Sequence, residues 1–157
     1  MYITRYEVRL TSYKEPVLFV EETKRFPQFK RTSCCCPEKI ADLLREVFRL
    51  SGAAQENFVM CSFDTSNSLI GVFLVSKGSI NRSYAPVREV CQNALLSGAV
   101  SIVIAHNHPS GDDRPSEADI SVTKMVKEGL DTIGVGLLDH LVIGDGTYFS
   151  FLENGLL

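Results

Sequence analysis

A chain of 157 residues with 45% hydrophobic and 22% charged side chains is long enough to bury a core and is balanced like a globular domain, which excludes a disordered chain. Its formal net charge of −3 is unevenly placed: residues 1–33 hold seven Lys/Arg against four Asp/Glu, and residues 34–157 nine against fifteen. A body that acidic grips nucleic-acid phosphates poorly, no apolar run reaches the ~20 residues that span a bilayer, and the N-terminus lacks the apolar stretch of a secretion signal. The expectation is a cytoplasmic protein with no membrane partner.

In chain order, residues 2–10 alternate as a strand, and Val17-Leu18-Phe19-Val20 is a second, the two forming a hairpin or an edge of the main sheet. Phe26 to Pro37 lacks periodicity and reads as a connector. It contains three of the five cysteines, Cys34-Cys35-Cys36; the other two, Cys61 and Cys91, stand in apolar surroundings as small core residues. No C-x-x-C pair is present, so neither a zinc ribbon nor a thioredoxin-like redox motif is written here, and a reduced setting is expected.

Pro37 opens a helix whose apolar positions Ile40, Leu43, Leu44, Val47 and Phe48 recur at helical spacing, ending near Ser51-Gly52. Phe58 to Phe63 is a strand, Asp64 to Ser68 a polar turn and Leu69 to Val75 the returning strand. Lys77 to Ala85 is a polar loop. A second amphipathic helix starts at Pro86 and is capped by Ser97-Gly98. Ser101-Ile102-Val103-Ile104 is apolar at almost every position, as a central strand covered on both faces should be. Ser116 is an N-cap, and its helix runs to about Gly129. Val135 to Ile143, the turn Gly144-Asp145-Gly146 and Thr147 to Phe151 form a last hairpin. Hairpins alternating with helices predict an α/β (α+β) fold, a mixed central sheet flanked by helices. Residues 1–36 are expected to form a strand-rich extension and connector, and 37–157 the main domain.

The central strand leads into Ala105-His106-Asn107-His108-Pro109-Ser110-Gly111-Asp112, which holds two of the three histidines. Residues i and i+2 of an extended chain face the same way, so His106 and His108 can aim both imidazoles at one metal ion. A catalytic zinc takes three protein ligands and leaves one position open to water. The local carboxylates are Asp112, Asp113, Glu117 and Asp119. Asp119, on the first helical turn and able to face back over the loop, is the chosen third ligand. Ser116-x-x-Asp119 also satisfies a helix-capping pattern. His140, within a strand, reads as a satisfied structural histidine.

His106-x-His108-Pro109 followed by Ser116-x-x-Asp119 resembles the JAMM signature of the JAB1/MPN metalloproteases. The longer string with Pro115-Ser116 resembles their RadC-like branch. Phe63-Asp64, Gly78-Ser79-Ile80-Asn81, Arg88-Glu89, Leu138-Asp139-His140 and Gly155 agree with it, over about residues 38–157. Residues 1–33 depart from the pattern, since many RadC-like proteins carry a helical segment there, and Pro86-Val87 departs where members often have Pro directly before Arg-Glu. The resemblance implies a JAB1/MPN, cytidine-deaminase-like fold and Zn²⁺ held by His106, His108 and Asp119. It also implies a glutamate that moves the proton of the activated water, here Glu56 with Glu89 as the alternative, and a Ser116 hydroxyl that steadies the oxyanion. The implied activity is hydrolysis of peptide or isopeptide bonds in a peptide or protein substrate. The rival is a non-catalytic module that binds protein or DNA, in line with the family's association with DNA repair.

Overall fold

The computed structural model describes residues 1–29, 36–78 and 86–157. Seven strands, β1 (Tyr2–Leu10), β2 (Pro16–Arg25), β3 (Asn57–Phe63), β4 (Leu69–Lys77), β5 (Ser101–Asn107), β6 (Gly136–Ile143) and β7 (Tyr148–Ser150), form one sheet in the order β2-β1-β4-β3-β5-β6-β7. Among the described residues three helices cover it, α1 (Pro37–Phe48), α2 (Val87–Ser97) and α3 (Glu117–Thr132). The sheet is mixed: β1 with β4 and β5 with β6 are parallel pairs, and the other neighbours are antiparallel.

Strands β3 and β5 are buried at every position because both their faces are covered. Alternate side chains leave a strand on opposite faces, and here they enter two separate cores. Val59, Cys61, Phe63, Val103 and Ala105 pack with Ile40, Leu43 and Leu44 of α1. Phe58, Met60, Ile102 and Ile104 pack with Val90 and Ala94 of α2 and Val122, Val126 and Leu130 of α3. The architecture is helix, sheet and two helices, with Cys61 buried and Cys91 half-buried among the apolar side chains. Cys34 and Cys35 lie outside the described residues; Cys36 is half-buried at the N-terminus of α1.

Several boundaries move from their expected places for local reasons. Helix α1 stops at Phe48 because Arg49 turns left-handed (φ 52°) and caps it through its backbone N–H. Strand β2 runs on to Arg25, five residues past the apolar segment, with a register shift opposite Arg5/Tyr6; it is the sheet's exposed edge, held by its backbone bonds to β1, and shows no alternation to read. The hairpin of β1 and β2 joins the main sheet at Arg5↔Val72 and Tyr6↔Phe73. Strand β5 extends three residues beyond Ile104, so His106 belongs to the central strand itself.

The register brings distant residues to one end of the sheet. Phe58 pairs with His106, which sets the start of β3 beside the end of β5, and Ile104 pairs with His140 on β6. The turn after β6 closes over the loop after β5. The N–H of Asp145 donates to the carbonyl of Gly111 at 3.0 Å, and a Cβ on Gly144 would stand 2.6 Å from that carbonyl oxygen. Only glycine allows this backbone approach. Gly144→Ala is therefore expected to cost about 1–3 kcal/mol of stability, as overpacking typically does, and to displace the loop that carries His108. Urea denaturation and metal affinity measured on the same variant check both effects.

Candidate metal centre

Each side chain of the cluster is delivered by a different device. His106 is wholly buried on β5, stacked at 11° on Phe58 with centroids 6.2 Å apart. His108 follows the strand, and its ring is fixed by the Asp112 carbonyl, 2.9 Å from Nδ1. A carbonyl only accepts, so Nδ1 carries the hydrogen and Nε2 is left with its lone pair. Asp119 sits at the third position of α3 inside a capping box: Ser116 Oγ accepts from the Asp119 N–H at 3.2 Å, and Asp119 Oδ2 accepts from the Ser116 N–H at 2.6 Å. The Ser116 hydroxyl also donates to Oδ2, at 2.7 Å.

These constraints converge. His106 Nε2 lies 3.1 Å from His108 Nε2 and 3.2 Å from Asp119 Oδ1, and His108 Nε2 lies 3.5 Å from Asp119 Oδ2. A tetrahedral zinc with bonds of ~2.0–2.1 Å holds its ligand atoms about 3.3 Å apart, so the separations suit that ion. The donor set, two imidazoles and a carboxylate, suits it as well. Glu56 Oε1 is 4.0 Å from His106 Nε2, and the four side chains form a group able to hold a metal ion, the only one of three or more such residues among the described residues.

The other local carboxylates point elsewhere. Asp112 turns its side chain to Arg114, whose guanidinium and N–H hold that carboxyl down at about 2. Asp113 and Glu117 lie outside the group, and Glu89 on α2 lines a separate groove with Tyr6 and Phe73.

Two residues outside the expected site support the cluster: Asn107, which the sequence does not mark, and His140, which reads from it as a structural histidine. Asn107, between the histidines, faces the opposite side of β5 and is buried. Its Oδ1 accepts from the N–H of Asn57 at 3.0 Å and from Asn57 Nδ2 at 3.2 Å, and its Nδ2 donates to the Gln55 carbonyl at 3.3 Å. It thus clamps the chain on both sides of Glu56. His140 is wholly buried beneath His106, its Nε2 2.9 Å from His106 Nδ1. The spacing of a strand gives no sign of either contact. The neighbouring Asp139, pushed up by burial, is spent on structure, accepting from Ser150 Oγ, His140 N and Leu152 N.

The charges are coupled. Burial raises the Asp119 carboxyl, but the imidazoles of His106 and His108 beside it and the Ser116 hydroxyl that donates to it outweigh that effect and hold the group well below the usual carboxylate range. The same carboxylate bonds His108 and raises its pKa above 6.5, against burial. A histidine raised on folding stabilises the fold fully below its unfolded pKa, and the contribution disappears as pH rises through the folded value. Metal binding needs the neutral ring and so has the opposite slope. The metal-free protein should lose the His108 contribution to stability as pH rises above 6.5 while zinc affinity climbs. Thermal melts and chelator competition across that range test the pair of slopes; zinc affinity flat with pH would contradict it.

The family model for the RadC-like JAB domain matches residues 34–156. The chain is also similar to UPF0758 proteins. It is 39% identical over 139 residues to one from Methanosarcina acetivorans, covering 88% of this chain and 57% of that protein. It is 40% identical over 134 residues to one from Clostridium acetobutylicum (85% and 58%), and 42% identical over 127 residues to one from Moorella thermoacetica (81% and 55%). The chain spans somewhat over half the length of these relatives.

Proposed function

The chain belongs to the RadC-like JAB domain family, and from that premise we propose that it is a zinc-dependent hydrolase that cleaves peptide or isopeptide bonds in peptide or protein substrates. The observation that carries this reading is the uneven spacing of the four-residue group: His106, His108 and Asp119 lie within 3.5 Å of one another, and Glu56 stands further off, 4.0 Å from His106. A purely structural zinc would be enclosed by four ligands.

His106, His108 and Asp119 would hold the zinc, which when bound would supply a water acidified to near neutral pH and a positive charge for a polarised carbonyl. Glu56 takes the proton of the attacking water and returns it to the leaving amine, a contribution of about 10²–10⁴-fold. Asn107 fixes the backbone that presents Glu56, so the carboxylate meets the water without a search. Ser116 has two tasks. Its backbone N–H and its hydroxyl both hold Asp119 Oδ2. Because the N–H remains on that oxygen, the hydroxyl can turn to a developing oxyanion without leaving Asp119 unsatisfied. Glu56 also lines an open groove of about 360 Å³ with Ala54, Gln55, Gly78 and Pro109, which suits an extended substrate.

No helix among the described residues is long and apolar enough to cross a membrane. Cys36, Cys61 and Cys91, the cysteines among the described residues, stand outside any disulfide, which suits a reducing compartment, and the cytoplasm is the setting of this reading.

Purified protein is expected to hold about one zinc per chain, lost in a His106→Ala/His108→Ala variant. Glu56→Gln should keep the zinc and lose at least about 10²-fold in turnover of a peptide library. Equal activity of wild type and Glu56→Gln would remove Glu56 from the mechanism. Zinc binding without turnover of any peptide would instead assign a binding module. Asn107→Leu should fall between, with zinc retained and turnover reduced, since it frees Glu56 without touching a ligand.

A further inference from the structure

We propose that Thr123 and His140 are positioning residues that fix the tautomer of His106, keeping its Nε2 lone pair turned to the ligand cluster. The inference rests on the metal-centre reading above, but not on hydrolysis.

The argument follows one hydrogen at a time. Thr123, one turn after Asp119 on α3, has its Oγ1 2.6 Å from the backbone carbonyl of Asp119. Two bare acceptors at that distance repel, so the hydroxyl hydrogen lies on the carbonyl. Thr123 Oγ1 is also 2.6 Å from His140 Nδ1. With its single hydrogen spent, the hydroxyl can only accept there, and His140 must carry its own hydrogen on Nδ1. The Nε2 of the neutral ring then holds a lone pair. That lone pair faces His106 Nδ1 at 2.9 Å, so His106 Nδ1 donates and His106 Nε2 is bare. The reverse order of donors would place a hydrogen on His106 Nε2, aimed at the two ligand atoms 3.1 and 3.2 Å away.

The setting leaves little freedom. Thr123, His106 and His140 are all at most 2% exposed. His140 is stacked on Phe151 at 20° with centroids 4.7 Å apart, and Phe58 stacks on His106, so neither ring can flip without disturbing the core. His108 meets the same requirement in one step through the Asp112 carbonyl. His106, deeper in the sheet, is reached through two side chains from a backbone carbonyl of α3. Asp119 therefore serves the centre twice, as a ligand through its side chain and as the fixed acceptor through its backbone.

Long-range ¹H–¹⁵N correlation spectra of the metal-free protein, labelled on histidine, read each tautomer directly. The wild type is expected to carry hydrogen on Nδ1 of both His140 and His106; hydrogen on His106 Nε2 would overturn the proposal. Thr123→Val, nearly isosteric but without the hydroxyl, should mix the His106 tautomers and weaken zinc binding about 10–100-fold in chelator competition. Thr123→Ser should restore both, which a purely steric role of Thr123 would not require. A folded Thr123→Val with the wild-type tautomer and affinity counts against the inference, and should that variant not fold, the wild-type spectrum decides alone. Wild-type protein with the expected tautomers but no zinc would sink the hydrolase reading and leave the hydrogen-bond chain standing. Zinc binding with His106 protonated on Nε2 in the metal-free form would do the reverse.

Discussion

Burial of β5 on both faces is the constraint on which the rest depends. A strand with no exposed face cannot shift register without turning apolar side chains toward the wrong layer, so Val103 and Ala105 stay with α1, and Ile102 and Ile104 with α2 and α3. The same alternation, continued past the apolar run, sends His106 to the α3 side and Asn107 to the α1 side. One imidazole is thereby committed to the metal cluster. The residue between the histidines is committed to the start of β3. The centre is thus an extension of the core's own packing rather than a loop resting on it.

This placement explains the chemistry available. Ligands carried by a rigid strand and the first turn of a helix need little rearrangement to receive an ion, and preorganisation of that kind is what a charge-stabilising site requires. The more exposed parts are those that would meet substrate: Glu56 at the edge of β3, and the Ser116 hydroxyl at the mouth of α3. Asp112, held by Arg114, stays out of the group that Glu56, His106, His108 and Asp119 form.

The sequence carried much of this. The apolar run of β5, the spacing of His106 and His108, and the Ser116-x-x-Asp119 cap are local signals, and each corresponds to a local structure whose geometry is strict. The seven-stranded mixed sheet with flanking helices was legible from alternation and helical periodicity. What the chain hid was long-range or dominated by backbone. The length of β2 follows from pairing with β1 at an exposed edge, where side chains give no pattern. The early end of α1 follows from one left-handed residue, Arg49, of a type that gives no warning of it. His140 reads from the sequence as a satisfied structural histidine; it is buried and bonded, and its partners are Thr123 and His106. Only the parallel register of β5 and β6 makes that meeting visible. Asn107 carries no mark in the sequence, because a residue lying between two histidines reads as a spacer.

Helix α3 has a further property. Ser116, Asp119 and Thr123 follow one another at intervals of three and four, so they share one face over its first two turns. A single inserted or deleted residue between Ser116 and Thr123 would rotate everything after it by about 100°, parting cap from ligand or ligand from threonine hydroxyl while Val126 and Leu130 lost their places in the core. The phase of this helix is thus fixed twice, by apolar packing and by polar contacts, and variation in length among homologous chains should fall in the loops on either side of it.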